Sequence, residues 1–204
     1  MPYMLGLTGN IASGKTTVGL MLLELGLSTY IDADQVVHEL YLPGQALPRA
    51  LAEAFGPGVL DSAGGIDRRA LGAIVFNSPE RLRQLEGIVH PAVREALLSK
   101  IRTLAPDAIG ALDAIKLVES GYAPFCHGLW VVTCPPEIQL RRLIEQRGLT
   151  EEEARARLAA QPPIDEKLPL ATAVIHNDGS LEHLREQVTD AWRAFMASLA
   201  EQKP

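Results

Sequence analysis

Six mostly apolar residues, Tyr3–Thr8, stand near the start of the chain and read as a buried strand. After a polar, glycine-containing loop, Val18, Met21, Leu22 and Leu25 recur at helical spacing over Thr16–Leu25. A second short apolar run, Leu27–Ile31, reads as another strand. From Gln35 to about Pro106 the pattern is mostly helical, with breaks at Pro43-Gly44, Gly56-Pro57-Gly58 and Gly64-Gly65. There Leu82, Leu85, Ile88 and Val89 give one apolar face, and Val93, Leu97, Leu98 and Ile101 give another. The stretch is too long for a plain crossover between parallel strands, so it predicts a helical insertion.

Strand character returns at Ala108–Val118 and at Gly128–Cys134. Pro135-Pro136 ends the latter and opens a helix over Glu137–Arg147. Thr150 followed by Glu153 is a capping box for a helix over Glu151–Ala160, which Pro162-Pro163 closes. Val174–Asn177 suits a last strand. The terminal helix, Leu181–Leu199, carries Leu184, Val188, Trp192, Phe195 and Leu199 on one side. Strands alternating with helices imply an α/β fold, a parallel sheet with helices on both faces and a ligand at the carboxyl ends of its strands.

The loop between the first strand and the first helix carries the chemistry. Gly9-Asn10-Ile11-Ala12-Ser13-Gly14-Lys15-Thr16 fits the eight-residue P-loop pattern, with both glycines, the lysine and the hydroxyl residue in place. The glycines let the backbone turn so that successive N–H groups face phosphate oxygens, at a helix N-terminus that favours an anion. Lys15 then reaches the β- and γ-phosphates as a point charge, and the Thr16 hydroxyl sits on Mg²⁺. The pattern implies a nucleoside-triphosphate site.

Composition narrows the partners. With 204 residues, 47% of them hydrophobic, the chain supports one α/β core carrying small subdomains. A formal charge of −6 argues against a broad nucleic-acid surface, without excluding a local basic pocket. Cys126 and Cys134, separated by seven residues, match neither a zinc site nor a redox motif and read as reduced thiols. No basic leader precedes the first strand, and no apolar run approaches the ~20 residues that span a bilayer. A cytoplasmic protein without membrane partners is expected.

Several other residues have chemical potential, most of them with two readings. Asp32 and Asp34 end the second strand, where one carboxylate could face Mg²⁺ and the other accept a hydroxyl proton; alternatively Asp34 caps the following helix. Arg141, Arg142, Arg147, Arg155 and Arg157 lie on two helices joined at Gly148, either as a lid that brings guanidinium groups to phosphates or as a salt-bridged, solvated hairpin. Asp113, within Ala111–Ile115, is either a Walker B carboxylate or a strand-end turn residue. His90 before Pro91 reads as a capping or packing residue. Asp61-Ser62-Ala63-Gly64 fits an Asp-x-x-Gly switch, but the chain has no Asn-Lys-x-Asp guanine-reading motif.

Taken in order, these pieces resemble dephospho-CoA kinase. The resemblance rests on Leu5–Gly9 through Ser13–Thr17, on Ile31–Asp34, on Ile66–Arg68 to Leu71, on Val75-Phe76, and on Leu85-Glu86 to His90-Pro91. It continues through Gln139 with Arg142, Gly148–Thr150, Arg157 to Gln161, and Val174–Asn177, so that it spans nearly the whole chain. It implies ATP-dependent, Mg²⁺-assisted phosphorylation of the ribose 3′-hydroxyl of dephospho-CoA. The implied fold class is α/β: a P-loop NTPase-type parallel sheet with helices on both faces, a helical substrate-binding insertion and a helical lid. On this chain that gives a nucleotide core over 1–34, 107–135 and 166–204, an insertion over 35–106 and a lid over 136–165.

By position, the resemblance makes Asp34 the general base, with Asp32 beside it on the acceptor side. Arg68 and His90 fall in the substrate-binding part, Arg142 and Arg157 in the lid, and Asn177 near the adenine. Residues 9–17, from Gly9 to Thr17, hold the nucleotide. The chain departs from the family at four places. Asn10 and Ala12 replace usual glycines; Ala114-Ile115-Lys116-Leu117 stands where Pro-Leu-Leu is common; Gln146 replaces a usual lid arginine; and Ala173 replaces an aspartate.

Overall fold

The computed structural model describes residues 2–76 and 78–201, so the extreme ends of the expected 1–204 domain lie outside the described residues. Five strands form, at Tyr3–Thr8 (β1), Thr29–Asp32 (β2), Ile109–Asp113 (β3), Gly128–Thr133 (β4) and Ala173–His176 (β5). They make one sheet in the order β2-β3-β1-β4-β5. β1 runs parallel to both β3 and β4, and β4 parallel to β5. The first strand of the chain is therefore the central one, with Leu7 opposite Asp113 on one side and Trp130 on the other.

Period-two alternation sends Leu5, Leu7, Trp130, Val132 and Ile175 to one core. There they meet Val18, Met21 and Leu22 of α1 (Lys15–Glu24), and Leu184, Val188, Trp192, Phe195 and Leu199 of α8 (Leu181–Glu201). Fixing α1 against this core fixes the end of the loop that precedes it.

β3 is shorter than its apolar pattern predicts. The Ala114 N–H still bonds the Leu7 carbonyl at 3.1 Å, but the next carbonyl, of Ile115, accepts the Thr8 hydroxyl at 3.1 Å and the Lys167 ammonium. With that carbonyl drawn off the ladder the chain coils, and the Ser120 N–H donates to the Lys116 carbonyl at 2.8 Å.

Contacts divide the chain into two compact units, residues 1–30 with 104–204, and residues 31–103. The second unit is helical: α2 (Ala33–Leu40), α3 (Ala46–Phe55), α4 (Arg68–Val75) and α5 (Pro79–Arg102) bury Val36, Leu47, Leu51, Leu71, Val75, Val93 and Leu97. α5 is one 24-residue helix that runs through His90-Pro91, although Pro91 donates no hydrogen bond. Asp61-Ser62-Ala63-Gly64 is a turn, not a switch: Asp61 Oδ1 accepts the N–H groups of Ala63 and Gly65, below the antiparallel bridge Leu60–Ile66.

In the first unit α6 (Pro136–Arg147) ends at Gly148, which takes the left-handed conformation at φ 65°. α7 (Glu151–Ala159) opens on the capping box that its sequence predicts, with Thr150 and Glu153 satisfying each other's backbone N–H groups. Those Thr150 donors hold the Glu153 carboxyl below its usual range.

Candidate active site

The loop from Gly9 to Gly14 depends on glycine at both ends. A Cβ at Gly9 (φ 148°) would lie 2.1 Å from the Val132 carbonyl oxygen, and one at Gly14 (φ 100°) 1.9 Å from Asn177 Nδ2. Of the two positions where other residues stand for glycine, Ala12 shows the consequence. Its φ is 58°, the left-handed region that costs a side chain about 1–2 kcal/mol. It is the only non-glycine residue with positive φ among the described residues.

α1 begins at Lys15 with no side chain capping its first turn. Its leading N–H groups thus have no partner within the helix, and the helix dipole adds positive potential, which together make an anion site. Lys15 Nζ donates to the Gly9 carbonyl at 3.1 Å across the mouth of the loop and lies 3.9 Å from Asp113 Oδ1. Asp113, buried at the end of β3, also accepts the Tyr30 hydroxyl. Gly19 makes room for that tyrosine, since a Cβ there would meet its ring at 2.2 Å. Asp113 thus ends its strand and faces the loop lysine.

Arg142 and Asn177 form the rear wall of the loop. Arg142 Nη1 donates to the carbonyls of Ala12 at 3.1 Å and Ser13 at 3.2 Å. Its Nη2 donates to the Asn177 carbonyl at 3.0 Å and side-chain oxygen at 3.2 Å, while Asn177 Nδ2 donates to the Ser13 carbonyl at 2.8 Å. Nearby, burial pushes the Cys134 thiol up, and the Arg142 charge acts against that. A cavity of about 410 Å³ opens beside this wall, lined among others by Thr16, Thr17, Arg142, Gln146, Arg147 and Leu184. Gln146 and Arg147 stand side by side in its lining.

The remaining expected residues fall outside this cluster. Arg157, on α7, is exposed. In the helical unit, Asp32 rather than Asp34 is the N-cap of α2, because the strand ends at Asp32 and its Oδ1 accepts the N–H groups of Asp34 and Gln35. Asp34 is exposed, and its carboxylate has no hydrogen bond or ion pair among the described residues. Arg68 lies 5.5 Å over the Tyr41 ring and bonds His38 Nδ1 at 3.2 Å. Burial raises the Tyr41 hydroxyl's pKa, against the pull of the Arg68 charge. His90 is solvent-exposed midway along α5.

Tyr30 and Lys167 are site neighbours that sequence patterning does not single out; Gln161, a third, ends the Arg157-to-Gln161 stretch of the resemblance.

A family model described as dephospho-CoA kinase (CoaE) matches residues 3–183. The chain belongs to the dephospho-CoA kinase family. It is 47% identical over 190 residues to the dephospho-CoA kinase of Geobacillus kaustophilus, covering 92% of this chain and 94% of that one. Among solved structures, TT1252 from Thermus thermophilus superposes with a TM-score of 0.80 at 37% identity, over 100% of this chain and 99% of the other. Dephospho-CoA kinase from Campylobacter jejuni does so with a TM-score of 0.63 at 28% identity, over 95% and 97%. The chain is therefore a phosphotransferase of the P-loop kinase fold. The family reaction is ATP-dependent phosphorylation of the 3′-hydroxyl of dephospho-CoA, the last step of coenzyme A synthesis.

Proposed function

We propose that this chain divides the work of that reaction between the phosphate loop and Asp34. ATP lays its phosphates on residues 9–17, with Lys15 on the β- and γ-phosphates. Its base occupies the cavity beside Arg142 and Asn177, whose bonds to the loop support a role in holding the loop's shape around the nucleotide. The donor set suits Mg²⁺: the Thr16 hydroxyl and the Asp113 carboxylate are hard oxygen ligands. Held there, Mg²⁺ would supply positive charge to the transferring phosphates.

Dephospho-CoA binds the helical insertion, with Asp32, Arg68 and His90 on the acceptor side. Asp34 accepts the proton of the 3′-hydroxyl as that oxygen forms its bond to the γ-phosphorus and the bond to the departing ADP breaks. Support comes from the division between the two carboxylates: Asp32 is spent on a helix cap, while Asp34 is exposed and uncommitted. The α6–α7 hairpin serves as a lid that brings Arg157 to the phosphates and excludes water, which would otherwise hydrolyse ATP. Arg147, on the rim of the cavity, supplies the charge that Gln146 lacks. The free thiols of Cys126 and Cys134 support a reducing, cytoplasmic setting.

The observation that carries this reading is the uncapped start of α1 behind a glycine-demanding loop, with Lys15 and Asp113 at its mouth. The test is ATP consumption with dephospho-CoA beside AMP, CMP and adenosine, with mass spectrometry on the product. Turnover with dephospho-CoA alone, giving a 3′-phosphate, is expected. Preference for another acceptor overturns the substrate assignment.

A further inference from the structure

The segment that follows α7, Gln161 to Lys167, touches the phosphate loop and the turn after β3 at three places. Gln161 Oε1 accepts the Ile11 N–H at 3.2 Å. The Pro162 carbonyl accepts from Asn10 Nδ2 at 3.4 Å. Lys167, only 1% exposed, donates to the Ile115 carbonyl and pairs with Glu119 at 3.3 Å. Ile11 lies in the outer arm of the phosphate loop. Ile115 follows Asp113 by two residues, and its carbonyl also accepts the Thr8 hydroxyl from the end of β1.

An ammonium group buried this deeply gives up its hydration, and a packed apolar residue of the same volume would fill the space without that cost. What the charge adds is direction. It requires a carbonyl and a carboxylate at fixed places, and the carbonyl it takes is the one that pulls the chain off the β3 ladder. Gln161 imposes a matching constraint on the loop, since Ile11 and Ala12 carry side chains and Ala12 is held at φ 58°.

We infer that residues 161–167 are a strap that positions both halves of the phosphate-transfer site, with Gln161 setting the outer arm of the loop and Lys167 setting the turn after Asp113. Both are positioning residues, acting through Ile11 and Ile115. Because the strap continues directly from α7, the end of the arginine-rich hairpin is tied to the loop and to the Asp113 turn at once. The inference rests on the reading that this loop holds ATP.

The test compares Gln161→Leu, Lys167→Met, Lys167→Arg and the double variant Gln161→Leu/Lys167→Met in the full chain. It measures kcat, KM for each substrate, ATP affinity by calorimetry and Tm. Gln161→Leu and Lys167→Met should each lower kcat/KM for ATP by about tenfold or more, since sub-ångström to 1 Å displacements of reacting groups carry effects up to ~10². KM for dephospho-CoA should move less than about threefold. Lys167→Arg should recover part of the loss, and the double variant should lose less than the product of the single losses, as coupled sites do. Lowered Tm with kcat and both KM values within twofold of the parent overturns the strap and leaves a merely structural role. If Lys167→Met does not fold, Gln161→Leu and Lys167→Arg decide the matter by the same criteria. Lys15→Ala separates the two claims: retained ATP affinity in that variant refutes the loop reading itself, whatever the strap variants do.

Discussion

Asp32 Oδ1 accepts the backbone N–H of Asp34 at 2.8 Å, so the first carboxylate of the Asp-Ala-Asp run organises the backbone that carries the second. The same oxygen accepts the Gln35 N–H at 3.2 Å. Asp32→Ala should therefore lower stability by about 1 kcal/mol, the usual worth of an N-cap. Asp32→Asn should largely restore it, because an amide oxygen caps as well as a carboxylate oxygen. Thermal unfolding of the three proteins checks this, and an unchanged Tm in Asp32→Ala contradicts the cap.

Arg142 donates to four oxygens, two on the loop and two on Asn177. Lysine presents a single ammonium and cannot reproduce that fork. Arg142→Lys should thus resemble Arg142→Ala, with KM for ATP raised about tenfold and KM for dephospho-CoA little changed. Full rescue by lysine would show that only positive charge matters at this position.

Ala12 holds a left-handed backbone at φ 58°. Ala12→Gly removes about 1–2 kcal/mol of that strain, offset by the roughly 0.5–1 kcal/mol that glycine's freedom costs on folding. A net gain on the order of 0.5 kcal/mol is expected in urea unfolding. A loss of 1 kcal/mol or more would mean that the Ala12 methyl contributes packing beyond its strain.

Burial pushes the Cys126 thiol up to about 12, against 9.0 when unfolded. The folded chain therefore keeps its proton where the unfolded chain has released it. That contribution is intact below pH 9 and is lost as pH rises from about 9 towards 12. Unfolding midpoints measured from pH 8 to 10.5 should fall less steeply in Cys126→Ser than in the parent. Parallel curves would show that this thiol does not set the alkaline limb.

The phosphate loop was legible in the sequence because its chemistry is local: eight consecutive residues between a strand and a helix. The Thr150–Glu153 box was legible for the same reason. The choice between Asp32 and Asp34 as helix cap was not, since both are good caps and only the end of the strand at Asp32 decides it. The partners of Arg142 were hidden because they lie 130, 129 and 35 residues away along the chain. Lys167 was invisible for a related reason: a lysine between acidic and apolar neighbours reads as surface, and only the fold buries it on Ile115 and Glu119. The end of β3 was misjudged because apolar residues continue beyond Asp113 while their backbone is claimed by Thr8 and Lys167.

The most direct measurement is the turnover of Asp34→Asn with ATP and dephospho-CoA, alongside its ATP affinity by calorimetry. With Asp34 as general base, kcat should fall by ~10²–10⁴ while ATP affinity stays within about twofold of the parent. A kcat close to the parent's would contradict that role, and a loss of ATP affinity as large as the loss of turnover would place Asp34 with the metal and nucleotide instead.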